Sequence, residues 1–305
     1  MNQTAPSGEQ FEIMYEDQHA TLVEVGGGIR TYSVAGRPVL DPYDIDAICD
    51  AGHGAPLIPW PNRLGDGRYS FDGADYQVAL SEPSRNNAIH GLLRWRPWQL
   101  REHSTSRVVL CARLHPMSGY PFDLSVEIAY DVGPDGLTVR TSATNVGSRA
   151  LPYGSGQHPY LSPGSGTVDD CVLRIDADTR ITTDAERQLP TGSESVTGTE
   201  FDFRVPRPLG ATRLDDAFTD LVRDPAGRAW IQLTGPDQRT AGLWADDSYS
   251  VLQAFSADTL TGERRRRSLA AEPMTCPPDA LRSGTSVIRL EAGDSTASTW
   301  GAQLL

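Results

Sequence analysis

The sequence lacks several features that would place it in a common class of protein. Its 305 residues contain no uninterrupted apolar run of about 18 residues, the length that a membrane-spanning helix requires. Positive charge is also scarce, because 27 Lys and Arg stand against 40 Asp and Glu and give a formal charge of -13. A protein that binds a nucleic-acid backbone needs clustered positive charge to displace counterions. We therefore expect neither a membrane nor a nucleic acid as partner.

Cysteine is almost absent, with only four residues and no CxxC or Cys/His cluster among them. This excludes a dense disulfide framework and gives no indication of a zinc site. Scattered free thiols, packed as small apolar side chains, are the expectation. The first 17 residues contain neither a basic region nor an apolar segment of the secretory type, which predicts a cytoplasmic protein.

What the sequence does contain is enough apolar material, 38% of residues, for a packed core. At this length, one large domain or two ordinary ones are possible. The loop-rich stretch 184–210 is the best candidate for a boundary, but there is no internal repeat and no long flexible linker. We predict a single domain over residues 1–305.

Alternation of apolar and polar residues dominates the chain and predicts many short strands. Residues 69–80 predict a hairpin, because Asp72 and Gly73 suit the positive backbone angles of a tight turn. The 29 Gly and 22 Pro interrupt most windows before a three-turn helix could form. We predict an all-β antiparallel protein, with further strands at 20–25, 29–34, 107–114, 124–132, 137–143, 229–234 and 250–255.

Two of the six histidines occupy unusual settings for acid–base chemistry near neutral pH. His90 precedes Gly91, which allows the backbone to approach a ligand closely, and His158 precedes Pro159, which favours extended geometry. Taken alone, a histidine of this kind is more often a hydrogen-bonded structural residue than a catalyst. Their separation does not match a metal-binding motif, so we expect no metal.

Carboxylates and an arginine supply the remaining candidates. Glu272 follows two alanines, and a carboxylate in apolar surroundings has a raised pKa and becomes a stronger base once deprotonated. An exposed glutamate at a strand end is the alternative. Asn62 and Arg63 could donate hydrogen bonds to neighbouring hydroxyls, and Asp215 could accept them, although a solvated loop explains these residues equally well.

The run Arg264–Arg267 is the one dense basic segment in this acidic chain. A solvated loop is the simpler interpretation. A phosphate-binding patch is the alternative, because arginine pairs bidentately with phosphate oxygens.

Five segments together resemble the aldose 1-epimerase (galactose mutarotase) family, and the resemblance spans roughly residues 20–303. In chain order they are PLIPWPNRLGDGRYSFDG (56–73), NNAIHGLLRWRPW (86–98), GSGQHPYL (154–161), LDDAF (214–218) and AAEPMTCPPDAL (270–281). The resemblance implies a large antiparallel β-sandwich, a supersandwich of the galactose mutarotase type. It also implies an isomerase of carbohydrate metabolism that binds one monosaccharide, with no cofactor and as a monomer or homodimer.

The resemblance further implies roles for individual residues. Glu272 matches the base that removes the proton from the anomeric hydroxyl, and His158 matches the acid that protonates the ring oxygen. His90 matches the second active-site histidine. The expected contacts to sugar hydroxyls are Arg63, Asp215, Asn62, Gln157 and Phe255.

Departures from the family pattern concern the substrate. Met274 stands where members often have glutamine, Leu281 and Arg282 where they often have asparagine, and Leu161 where many have phenylalanine. The proton-transfer residues are unaffected, but galactose cannot be assumed as the sugar. A hexose-phosphate 1-epimerase that uses Arg264–Arg267, and a non-catalytic sugar-binding protein, remain as alternatives.

Overall fold

Alternation along the chain produces the long central strands. In the computed structural model, which describes residues 5–305, the segment Leu124–Gly133 buries its apolar residues at every second position from Leu124 to Val132. The next segment, Gly136–Asn145, also buries every second residue from Leu137 to Asn145, including the polar Thr141 and Asn145. Side chains of a strand point alternately to its two faces, so each of these strands presents one mainly apolar face to the core.

The described residues form 27 strands, three short 3-10 helices and one α-helix. No helix among these residues is long and apolar enough to cross a membrane. The strands of the first half are β1 (Gln10–Tyr15), β2 (Gln18–Val23), β3 (Ile29–Val34), β4 (Arg37–Leu40), β5 (Pro56–Leu57), β6 (Arg63–Gly65), β7 (Arg68–Phe71), β8 (Ala74–Gln77), β9 (Asn87–Ile89), β10 (Gln99–His103), β11 (Arg107–Leu114), β12 (Leu124–Gly133), β13 (Gly136–Asn145) and β14 (Leu151–Tyr153).

The second half continues with β15 (Gly156–Gln157), β16 (Tyr160–Leu161), β17 (Val172–Ile175), β18 (Ala177–Thr183), β19 (Pro190–Ser195), β20 (Arg207–Pro208), β21 (Asp215–Leu221), β22 (Ala229–Thr234), β23 (Thr240–Ala245), β24 (Val251–Phe255), β25 (Leu269–Met274), β26 (Ile288–Leu290) and β27 (Ser295–Leu304). The α-helix is α1 (Ala280–Ser283), and the 3-10 helices cover Pro83–Arg85, Val168–Asp170 and Gly262–Arg264.

Two large sheets account for most of the strands. The twelve-stranded sheet follows the order β1-β2-β3-β4-β16-β25-β24-β21-β18-β19, with β15 and β5 attached beside β25. The nine-stranded sheet follows the order β10-β11-β12-β13-β27-β23-β22-β17-β20. Neighbouring strands in both sheets are antiparallel, as predicted.

The two sheets pack face to face and share one core. A single cluster of buried apolar residues extends from Phe11 to Ala302 and includes side chains of both sheets. Strands of one sheet contact strands of the other at several places, among them β1 with β12 and β4 with β27. This is the predicted large β-sandwich. The single domain over residues 1–305 stays a prediction.

The predicted strands agree closely with the structure in the interior of the sheets. The segments 29–34, 107–114 and 229–234 coincide with β3, β11 and β22. The hairpin turn at Asp72 and Gly73 has positive φ angles of 50° and 75°, as a tight turn requires, although its second strand ends at Gln77 rather than at residue 80.

The loop-rich stretch 184–210 contains two strands that the sequence did not predict, β19 and β20. All six residues of β19 are exposed, so the strand has no apolar alternation to reveal it. It pairs with β18 at the edge of the twelve-stranded sheet. The four cysteines are free, and two of them, Cys171 and Cys276, are buried.

Candidate active site

A cavity of about 400 Å³ lies where β21, β24 and β25 of the larger sheet meet the segments around residues 62–63 and 81–94. Its volume falls in the lower part of the range for small-molecule sites, about 300–1,000 Å³. The residues that line it are Ala51, Asn62, Arg63, Ser81, Glu82, Arg85, Ile89, His90, Arg94, His158, Asp215, Phe255, Thr259, Leu260 and Glu272.

Glu272 occupies the middle of β25, a strand in which all six residues are buried. Its neighbour in the ladder is Gln253 of β24, and only 2% of Glu272 is exposed. Burial raises the pKa of Glu272 well above its usual range, and the negative charge of Asp215 raises it further. A carboxyl group in this setting can take up a proton readily, as a catalytic base must.

His158 lies between the short strands β15 and β16, where backbone hydrogen bonds hold it. Its N–H donates to the carbonyl of Ala55 at 3.0 Å, and its carbonyl accepts from Gly54 at 2.9 Å. Its Nε2 lies 3.3 Å from Oε1 of Glu272. Burial lowers the pKa of His158 to about 3, so the free imidazole is neutral at neutral pH.

His90 follows β9 directly and has a positive φ of 62°. Its N–H donates to the carbonyl of Asn62 at 3.0 Å, and its ring meets that of His158 edge to face with 5.1 Å between centroids. Gly91 comes next, at φ 69°, and a Cβ there would lie 2.0 Å from the carbonyl oxygen of Ile58. Only glycine fits this position. Burial and the neighbouring His158 lower the pKa of His90 well below its usual value.

Arg63 and Asp215 form the polar side of the cavity. Nη2 of Arg63 lies 3.7 Å from Oδ2 of Asp215, whose Oδ1 accepts a hydrogen bond from Nε2 of Gln253 at 2.9 Å. Asn62 adopts a positive φ of 53°, and its Oδ1 accepts the N–H of Arg63 at 2.8 Å. These groups can donate to and accept from adjacent sugar hydroxyls.

Glu82 is a residue of the cavity that sequence reasoning missed. Its carboxylate accepts from Nε of Arg63 at 3.1 Å, from Nη2 of Arg63 at 3.2 Å and from Nδ2 of Asn87 at 3.0 Å. It therefore fixes the guanidinium plane of Arg63. Glu82 precedes Pro83 in an irregular segment, so neither alternation nor a motif distinguishes it in the sequence.

Two further arginines of the cavity were also missed. Nε of Arg85 lies 3.7 Å from Oε1 of Glu82. Arg94, in contrast, has no carboxylate within ion-pair distance among residues 5–305. Arg94 lies in the segment 86–98, four residues after His90. Its place in the cavity depends on the fold of the loop and not on any local pattern.

Seven of the eight residues predicted for the site line this cavity, and Gln157 does not. Gln157 is 1% exposed and donates from Nε2 to Oγ1 of Thr141 at 3.3 Å, on the core side of the chain. Because it immediately precedes His158 in an extended segment, its side chain points the other way. Phe255 of β24 and Leu260 supply apolar surface, packed against Tyr160.

The run Arg264–Arg267 does not line the cavity. Arg264 pairs with Asp50, Arg266 with Asp169 and Asp258, and Arg267 with Asp41. Arg265 is exposed. The alternative interpretation of this run as a phosphate-binding patch therefore has no support at the cavity, since three of the four guanidinium groups already have carboxylate partners.

His90, His158 and Glu272 lie close enough to act on one small group. Each offers one ligand atom, and these atoms all lie within 4.8 Å of one another, so the three residues could hold a divalent cation. The same arrangement can move protons, because two neutral imidazoles adjoin a carboxyl group with a raised pKa.

Comparison with known proteins shows the family of the chain. The model of the aldose 1-epimerase family matches residues 12–302. The uncharacterized protein YihR of Escherichia coli K12 is 35% identical over 289 residues, which cover 94% of this chain and 90% of YihR. Galactose mutarotase of Rattus norvegicus is 33% identical over 230 residues, 67% of this chain and 64% of that enzyme.

A solved structure shows the same fold. The GalM/aldose epimerase homologue from C. elegans superposes with a TM-score of 0.86 and 20% identity, covering 97% of this chain and 98% of that chain. The sandwich, the cavity at its face and the match over nearly the whole sequence lead to one conclusion: this chain belongs to the aldose 1-epimerase family.

Proposed function

We propose that this protein is an aldose 1-epimerase that interconverts the α and β anomers of a free aldose by opening and reclosing the sugar ring. Glu272 acts as the base, His158 as the acid, and His90 assists near the ring oxygen. The observation that carries the proposal is the 3.3 Å separation between Nε2 of His158 and Oε1 of Glu272 at the base of a cavity suited to one sugar.

The short separation suits this reaction. The anomeric hydroxyl and the ring oxygen are bonded to the same carbon, so a base for one and an acid for the other must be neighbours. Ring opening removes a proton from the anomeric hydroxyl and delivers one to the ring oxygen. The aldehyde then rotates about the C1–C2 bond and recloses on its other face with the roles reversed.

The proton balance of the reaction requires Glu272 and His158 to hold one proton between them. The sugar has the same number of protons in its closed and open forms, so the enzyme pair must also keep its number constant. With a closed sugar the proton sits on His158, and with the open aldehyde it sits on Glu272. Burial favours the uncharged pair, because it raises the pKa of Glu272 and lowers that of His158. The buried surroundings therefore disfavour the charged pair of protonated His158 and ionised Glu272 that faces the closed sugar. Ring opening moves the proton to Glu272 and removes this charge separation.

The test is saturation-transfer NMR of anomer exchange over a panel of aldoses and their phosphates. We expect faster exchange for at least one aldose with the wild-type protein than with the Glu272→Gln variant, which keeps the shape of the side chain. Equal rates with wild type, variant and buffer for the whole panel would refute the proposal. Sugar binding without faster exchange would instead support a non-catalytic sugar-binding protein.

A hexose-phosphate 1-epimerase is the second candidate, and Arg94 is the observation that favours it. This guanidinium lines the cavity and has no ion-pair partner among residues 5–305, so it could receive an anionic substituent of the sugar. The net charge of -13 opposes it, since an acidic surface repels anions over a Debye length of about 8–10 Å. Preference for hexose 6-phosphate over hexose, with inhibition by inorganic phosphate, would establish it.

A further inference from the structure

Three aromatic rings form a stack that ends at His158. Tyr160 lies between two imidazoles, with its ring centroid 4.4 Å from that of His53 and 5.1 Å from that of His158. The interplanar angles are 16° and 25°, so the three rings are nearly parallel. His158 and Tyr160 are two residues apart in an extended segment, which places their side chains on the same side of the chain.

The outer ring of the stack is held by two hydrogen bonds. Nε2 of His53 lies 2.6 Å from the carbonyl oxygen of Asp41, and Nδ1 lies 3.1 Å from Nη2 of Arg264. Because arginine can only donate, we assign Nδ1 as an acceptor and the proton to Nε2. Arg264 is held in turn by Asp50. His53 is 3% exposed and cannot move without breaking these contacts.

The ring of His158 needs support of this kind. Its Nδ1 has no hydrogen-bond partner among residues 5–305, and its Nε2 faces Glu272. The terminal torsion of a histidine side chain is broad and roughly two-fold, so hydrogen bonding to Glu272 alone would leave the ring plane poorly defined. Packing has to define it. Gly52, at φ 71°, also lies against the ring, since a Cβ there would be 2.7 Å from its Cδ2.

We propose that Tyr160 and His53 are positioning residues that hold the imidazole plane of His158, and that Arg264 acts by fixing His53. The inference rests on the proposed acid role of His158. Neither ring lines the cavity, so neither contacts the sugar directly. The first arginine of the basic run thereby has a role in the site without binding a phosphate.

The first experiment compares Tyr160→Phe, which keeps the ring, with Tyr160→Leu, which keeps apolar bulk but not the plane. A misplaced catalytic group can cost about 100-fold in rate. We expect kcat of the leucine variant to fall by about 10-fold to 100-fold with KM nearly unchanged, and the phenylalanine variant to stay close to wild type. Equal kcat in both variants, at equal folded fraction by circular dichroism, would overturn the proposal.

A second readout does not depend on activity. Long-range ¹H–¹⁵N NMR of the imidazole should show one tautomer with narrow signals for His158 in wild type and Tyr160→Phe, and averaged or broadened signals in Tyr160→Leu. Unchanged His158 signals in the leucine variant would refute positioning. If the His158 ring becomes mobile in Tyr160→Leu but the wild-type protein accelerates anomer exchange of no sugar, the proposed function is refuted and the positioning role still holds.

The arginine run contains its own control. Arg264→Ala should lower kcat in the same direction as Tyr160→Leu, because His53 loses one of its two hydrogen-bond partners. Arg265→Ala removes the same charge from an exposed neighbour and should leave kcat unchanged. Equal effects of the two variants would show that the run acts only through its charge and would overturn the role of Arg264.

Discussion

Arg63 and Asp215 lie next to one another on the polar side of the cavity, with 3.7 Å between Nη2 and Oδ2. Arg63 begins β6, a strand of a separate two-stranded sheet, whereas Asp215 begins β21 of the twelve-stranded sheet. Their contact joins the small sheet to the large one at the site. Asp215 also acts at a distance, because its charge raises the pKa of Glu272.

Replacement of Asp215 by asparagine should therefore change the pH dependence of the reaction. Without this negative charge the pKa of Glu272 falls, so the alkaline limb of the activity profile moves to lower pH. The measurement is the NMR exchange rate as a function of pH, corrected for exchange in buffer. Asp220→Asn, at an exposed position of the same strand, is the control and should leave the limb in place.

The acid limb of the wild-type profile should lie well below the ordinary histidine value of about 6.5. Activity requires the pair of Glu272 and His158 to hold one proton, and a second proton enters only at low pH because burial lowers the pKa of His158 to about 3. An activity loss centred near the ordinary histidine value would contradict a buried, neutral His158 in the free protein.

Glu272→Gln should reduce the exchange rate by about 10²-fold to 10⁴-fold, the usual contribution of a positioned proton-transfer group. It should also stabilise the fold at neutral pH. The raised pKa of Glu272 adds stability below its unfolded value of about 4.3, and that stability is lost as pH rises toward the folded value. Thermal unfolding at acid and neutral pH measures the difference, and a variant less stable than wild type at neutral pH would contradict the sign.

Glu82→Gln should weaken substrate binding more than the chemical step. The carboxylate holds the guanidinium of Arg63 through three contacts of 3.1 to 3.3 Å, and an amide keeps only part of them. Hydrogen bonds to charged groups contribute about 1.5–3 kcal/mol, so we expect KM to rise by about 10-fold. Glu186→Gln, on an exposed loop, is the matched control. A fall in kcat at constant KM would place Glu82 in the chemistry instead.

Metal ions provide a further test. Treatment with EDTA should leave the exchange rate unchanged, because the proposed proton transfers need no metal. Added Zn²⁺ should inhibit in competition with the sugar, since it favours nitrogen and oxygen ligands such as those of His90, His158 and Glu272. Loss of activity in EDTA that Zn²⁺ restores would reverse this assignment and make the ion part of the site.

The sequence predicted the features that depend on neighbouring residues in the chain. The predicted bounds of β3, β11 and β22 match the structure to the residue. In β22 every second residue is buried, which is the pattern that the alternation predicts. The same criterion fails at β19, where every side chain is exposed and only pairing with β18 creates the strand.

The same distinction between local motifs and contacts made by the fold applies to the candidate site. Residues in distinctive motifs, such as His90 and His158, were found from their neighbours in the chain. Glu82 and Arg94 were not, since their role depends on which loops the fold brings together. Gln157 was misplaced because a motif shows which residues are adjacent but not which side of the strand each one faces.

The position of β27 has a consequence for the order of folding. This strand lies between β13 and β23 and pairs with both, so within the described part of the chain it alone links the two halves of the nine-stranded sheet. Until residues 295–304 dock, β13 and β23 each expose an unpaired edge, which is a template for association with other chains. During synthesis the edges of β13 and β23 stay unpaired until β27 has been made. Loss of β27 would therefore favour aggregation over a smaller folded protein.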